Sequence, residues 1–187
     1  MANPGDEFRD QEGGHLVFRE TSGSTDGELL EVQVTYPPRS SLPPVHYHPS
    51  QEETFQVQSG LIRALFNGKE HVYQEGDVFV VPPWTHHQMH SNGEEPSTFI
   101  WQTRPAMKTE VFFETIWGLA QDGKANRGGV AGLLQMIVIG QEYRDVFWLA
   151  KPPVIIQRIL FAILAPIGKL AGYRGSCPKY SDAKGEQ

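Results

Sequence analysis

His46–Gly60 reads HYHPSQEETFQVQSG, and the reading of this stretch decides the fold. Two histidines stand at i and i+2, a proline-bearing turn follows, and then Glu53, Phe55 and Val57 alternate with Thr54, Gln56 and Gln58 up to Gly60. A period of two is the signature of a strand with one face turned to a core. Side chains at i and i+2 of a strand share a face about 6–7 Å apart, so His46 and His48 can reach one point. Glu53 falls on the apolar face of its strand, where an ionised carboxylate needs a partner. Glu52, by the same alternation, points away. A divalent ion held by two histidines and a carboxylate satisfies all three groups at once.

Working outward, HLVFRE, ELLEVQVTY, LIRALF, DVFVVP and STFIWQT are further short strand candidates, separated by Gly, Pro, Asn or Asp. Asn67-Gly68 between two runs predicts a two-residue type I′ hairpin. Many short strands at close spacing predict a mainly β chain folded as a sandwich or barrel. GDVFVVPPWTHHQMHS adds a second group of histidines. Alternation puts His87, Met89 and Ser91 on one face and His86, Gln88 and His90 on the other, and only one set can face inward.

From Met107 the pattern changes to helical. MKTEVFFETIWGLAQDG predicts a helix closed by Gly123, GVAGLLQMIVIGQEYRDVFWLA a second, and PPVIIQRILFAILAPIGKLAGYR a third, with Pro166 kinking it or ending it early. Ile155, Ile156, Ile159, Leu160, Ile163, Leu164 and Ile167 form an apolar stripe on the third helix. Gln157, Arg158 and Lys169 interrupt it, so a membrane span is not expected. Packing on the barrel or in a subunit interface is the leading expectation for that stripe. Contact with a membrane surface, through a polar side carrying Lys151, Arg158 and Lys169, is a lesser one, and a lid over the barrel mouth another. The chain therefore divides into a flexible N-terminal segment (1–14), a β-barrel (15–105), a helical extension (106–176) and a tail expected to be disordered (177–187).

The 187 residues suffice for one domain with an appendage, and a net charge of −6 argues against a nucleic-acid partner. Cys177 is the single cysteine, which fits a reducing compartment, and the polar N-terminus shows no secretory signal, so the cytoplasm is expected. Arg63 and Arg104 are the nearest candidate anion anchors, and His15 and His71 read as surface histidines.

The order His46-x-His48-x4-Glu53-x6-Gly60, followed by Gly76-x5-Pro82 and His87, resembles the two-part signature of the cupin superfamily. The match covers roughly residues 40 to 92. It departs from the family pattern at Ser40, where a glycine is usual, at Trp84 in place of the second-motif glycine, and at Ser91, with Asn92 one step past the usual asparagine. The resemblance implies a cupin-type jelly-roll barrel followed by the helical extension. It also implies His46, His48, Glu53 and His87 as ligands of one divalent transition metal, whether Fe, Mn, Ni, Co, Cu or Zn. Strand alternation predicts Phe55, Val57, Met89, Phe99 and Trp101 as pocket walls, suited to a small apolar or aromatic molecule.

The expected function is a metal-dependent oxidoreductase of the dioxygenase kind. Glu53 is expected to act as a general base, with a pKa raised by its low-dielectric surroundings. A redox-neutral isomerase, cyclase or lyase, and a non-catalytic ligand-binding barrel, are the alternatives. A homodimer is expected, because short-stranded sheets have edges to protect.

Overall fold

The computed structural model describes residues 1–126 and 131–181. Ten strands precede the first helix: β1 (Glu7–Arg9), β2 (His15–Glu20), β3 (Leu30–Tyr36), β4 (His46–Tyr47), β5 (Glu52–Ser59), β6 (Leu61–Phe66), β7 (Lys69–Gln74), β8 (Val78–Val81), β9 (His87–Ser91) and β10 (Ser97–Arg104). Then come α1 (Thr109–Gln121), α2 (Leu133–Glu142), β11 (Trp148–Leu149), α3 (Val154–Leu170) and the short α4 (Pro178–Ser181).

The strands form two antiparallel sheets, one of order β1-β2-β3-β10-β5-β8 and one of order β11-β4-β9-β6-β7. Alternation in the sequence becomes alternation in burial. Phe55 and Val57 of β5 and Leu30, Val32 and Val34 of β3 are buried, while Gln56 and Gln58 are exposed. Asn67 and Gly68 both have positive φ, and Phe66 pairs with Lys69 across them, as the hairpin prediction requires. Gly60, at φ +78°, has no room for a side chain, since a Cβ there would lie 2.6 Å from the Pro96 carbonyl oxygen.

Several expectations change. Within the segment expected to be flexible, Glu7–Arg9 forms an edge strand on β2, because Phe8 is buried against Phe18. The second helix stops at Glu142. The chain then turns, with the Val146 and Phe147 N–H groups both donating to the Tyr143 carbonyl, and Trp148 and Leu149 pair with Tyr47 and His46 as β11. Aromatic residues that could continue a helix are drawn instead into the sheet and against Phe112, which packs 4.8 Å from Phe147. The start of that predicted helix, residues 129–130, lies outside the described residues.

The third helix runs through Pro166, which stands on its exposed side, where the unpaired carbonyl one turn earlier can be hydrated. Of the predicted stripe only Leu164 belongs to its packing face. Gln157, Ala165 and Gly168 are buried, with Phe161 and Leu164 beside them, and Gly168 lets Val138 of α2 approach closely. The tail also docks at its start. Tyr180 lies against Gly118, which has no side chain to obstruct it, and its hydroxyl donates to Asp122 at 2.7 Å. Residues 182–187 of the predicted tail lie outside the described residues. No helix of the described residues is long and apolar enough to cross a membrane.

Candidate metal centre

The strand order brings the two halves of the histidine pattern together. β4 carries His46 and ends one residue before His48. β9 opens at His87, which pairs directly opposite His46. Glu53 arrives from the other sheet, at the start of β5. Of the two histidine faces of β9, the one holding His87, Met89 and Ser91 turns inward, and His86 and His90 stay on the outer side.

His46, His48 and His87 each offer one ring nitrogen, and the three nitrogens lie within 4.8 Å of one another. Backbone carbonyls fix the orientation of all three rings. The Nδ1 of His46 lies 3.0 Å from the Pro44 oxygen, that of His48 2.8 Å from the Val146 oxygen, and that of His87 2.9 Å from the Thr85 oxygen. A carbonyl can only accept, so each Nδ1 carries the proton and each neutral ring turns an Nε2 lone pair toward the others. This is the tautomer a metal ligand needs, held by the kind of backbone partner that orients ligating imidazoles.

Glu53 is not within the three-nitrogen cluster but stands against it. Its Oε1 is 3.3 Å from His48 Nε2, and its Oε2 is 3.0 Å from His87 Nε2. Neither His48 Nε2 nor Glu53 Oε2 makes an aligned hydrogen bond, although both are buried. A carboxylate facing imidazole lone pairs at these distances needs a cation or a proton between them. The donor set therefore fits a divalent ion.

The charges follow the same logic. Burial pushes the Glu53 carboxyl up, but His48, His87 and His46 together outweigh it and hold the group down at about 2. This corrects the expectation of a raised pKa, because desolvation is outweighed here by the interactions of the carboxylate with the imidazoles around it. Burial opposes charge on His87, and adjacent Glu53 outweighs it, so His87 sits above its ordinary value. Burial and the two other histidines depress His46 to about 3.

The imidazoles open onto a cavity of about 460 Å³. Met89 and Trp101 line it, as expected. Phe55, Val57 and Phe99 do not. They face inward but lie deeper, completely covered, with Phe55 stacked 5.0 Å from Phe79. The remaining walls come from two sources: the helical extension, notably Phe112, Phe113, Trp117, Met136 and Phe147, and the chain from Tyr36 of β3 through the proline-rich loop to Pro44. Strand alternation could not find them, because it says nothing of what a distant helix or a loop covers. Neither Arg63, paired with Glu70 at 2.9 Å, nor Arg104, bonded to Gln102, reaches the cavity. The cation at its edge is Arg39, and it pairs with Glu94.

Two of the three departures from the motif have local substitutes. Trp84 takes the left-handed backbone a glycine would favour, at φ +66°. It is held by an N–H bond to the His48 carbonyl at 2.9 Å and by stacking on Tyr47. The Ser40 hydroxyl accepts the Ser91 N–H at 2.9 Å and so ties the loop before β4 to β9.

Residues 32–103 match the family model described as "Cupin domain". An oxidoreductase of Arthrobotrys oligospora is 28% identical over 151 residues, which are 74% of this chain and 59% of that protein. A protein of Hypocrea virens named as the probable oxidoreductase virH is 28% identical over 97% of this chain and 84% of its own length. The chain thus spans little more than half of the first of these relatives and most of the second. Among solved structures, KdgF from Halomonas sp. is 21% identical over 58% of this chain and 94% of its own, with a TM-score of 0.48. With the two-part motif, the two sheets and the family match in agreement, residues 32–103 of the chain are a cupin domain.

Proposed function

We propose that the protein is a metal-dependent oxidoreductase of the dioxygenase kind, acting on a small apolar or aromatic molecule. One observation carries the reading: three histidine Nε2 atoms, each presented by an anchored Nδ1–H, converge at the floor of an aromatic cavity. The oxidoreductase names of the fungal relatives agree with it. His46, His48 and His87 would hold the ion, with Glu53, ionised at neutral pH, as a fourth ligand. A redox-capable divalent ion bound there would supply electron transfer to dioxygen or Lewis acidity toward a substrate oxygen.

The chain's own part is positioning. Trp101 and Phe113 pack 4.7 Å apart and, with Phe112 and Phe147, present aromatic faces to a flat apolar substrate while excluding water. Burial, with Glu53's negative charge adding to it, keeps the Tyr36 phenol protonated, so its hydroxyl is a neutral donor in the wall. With its pKa so low, Glu53 is a weak proton acceptor, and its proposed role as base is subordinate to its role as ligand.

Elemental analysis of wild type and His48→Ala, purified identically, tests the site. Near one equivalent of metal in the wild type, lost in the variant, is expected. Turnover of aromatic substrates is then expected to stop under anaerobic conditions. Turnover that persists without oxygen would replace this reading with a redox-neutral isomerase, cyclase or lyase. Tight ligand binding without turnover would leave a non-catalytic barrel.

The negative net charge argues for no nucleic-acid partner, and the lone Cys177 for a reducing compartment such as the cytoplasm. A homodimer is proposed through the free edge of β8, whose Val78 and Val80 are exposed. Light scattering at micromolar concentration that gave a monomer would remove it.

A further inference from the structure

We infer that α3 docks the protein, lying flat, on an anionic lipid surface. The residues that read as a core stripe are, apart from Leu164, on the outside. Ile155 is 65% exposed, Ile159 52%, Ile163 59%, Ile167 51% and Leu170 90%. With Ile156, Leu160 and Pro166 they sweep roughly 140° of the helix at about 100° per residue, with no polar residue inside the arc. The opposite face is already used, by packing on α2 through Gln157, Phe161, Ala165 and Gly168.

Charge complementarity selects the occupant. Between Asp145 and Asp182 the chain has no acidic residue, in a protein whose net charge is −6. Arg158 and Lys169, three turns apart, stand together along one border of the apolar arc, and Lys151 and Arg174 are exposed beyond its two ends. Lys151, Lys169 and Arg174 form no ion pair among the described residues, and Arg158 rests over the Trp148 ring. A second copy of α3 laid against this face would bring no acid to meet these cations. An apolar arc with a basic border fits the boundary between acyl chains and anionic headgroups. The half-exposed Tyr173 at the end of the helix suits the same depth. The helix is too short and too charged to span, so it lies in the plane.

Co-sedimentation of the full chain with vesicles of phosphatidylcholine, alone or mixed with phosphatidylglycerol, tests the inference. Binding to the mixed vesicles and not to phosphatidylcholine alone is expected. The double variant Arg158→Gln, Lys169→Gln should weaken it about thirtyfold, from ~1 kcal/mol per basic residue near a charged surface. Ile159→Glu with Ile163→Glu should abolish it. All four positions are exposed, so circular dichroism should not change.

Failure to bind either vesicle overturns the inference. So does equal binding to both that ignores the Arg158 and Lys169 changes. A lipid-free dimer that Ile163→Asp converts to monomer would assign the face to a second copy instead. None of these outcomes bears on the metal centre.

Discussion

Trp101 shows how much a single side chain can carry at this site. Its indole N–H donates to Glu53 Oε1 at 3.0 Å, while its ring forms part of the cavity wall. Trp101→Phe keeps an aromatic wall and removes only the donor, leaving a buried carboxylate oxygen short of a partner. The expected cost is about 1–3 kcal/mol of stability from the unsatisfied acceptor. Metal affinity should fall about tenfold or more, as for lost outer-shell partners generally. Thermal unfolding and metal titration together check this, and unchanged metal affinity would show that the bond does not orient Glu53. At this same scale the sequence was most informative, since His46, His48, Glu53 and His87 all stand where period-two alternation turns them inward. What it could not supply is the Nδ1 partners, because Pro44, Thr85 and Val146 contribute only backbone carbonyls, which carry no residue signal.

At the level of elements, β11 is the part that ties the helical extension to the metal centre. Two residues long, it pairs with β4 beside His46, and the turn before it supplies the Val146 carbonyl to His48. The Ala150 N–H then donates to the Val45 carbonyl at 2.8 Å and closes the pairing. Gln157 at the head of α3 fastens the far side, donating to the Leu149 carbonyl at 2.8 Å. Ala150→Pro removes one donor from this clasp. A loss of about 1–3 kcal/mol and a lower metal content are expected together, measured by denaturant unfolding and elemental analysis. If stability fell while metal content held, the extension would be a cover only. No pattern in FWLA announces this strand, and its identity depends on β4 having an open edge.

For the whole molecule, the tail clasp gives a pH dependence. Asp122 is drawn down to about 2, first by its bond from the Lys179 ammonium and then by that from the Tyr180 hydroxyl. A carboxyl whose pKa is depressed by folding stabilises the fold above its ordinary value, and that contribution is lost as pH falls through the folded value. The docking of Tyr180 against Gly118 should therefore hold at neutral pH and weaken between about pH 4 and 2. Unfolding by urea over that range should depend less on pH in Asp122→Asn than in the wild type. Equal slopes would mean the clasp contributes nothing to folding.

Alternating burial, turn glycines and the spacing of titratable residues are local properties, and these the sequence by itself determined: a sandwich or barrel of short strands, its Asn67-Gly68 hairpin and the inward-facing histidines and glutamate, with the jelly-roll form added only by the resemblance to cupins. Each follows from backbone geometry over a few neighbouring residues. Tertiary structure alone decided that aromatic residues of the helical extension wall the cavity, that Phe55, Val57 and Phe99 are core and not lining, and that the apolar stripe of α3 faces outward. An amphipathic pattern states that a face is apolar and not what covers it. On α3 the small and polar residues Gln157, Ala165 and Gly168 allow close approach to α2. The helix packs through them and turns its isoleucines to the outside.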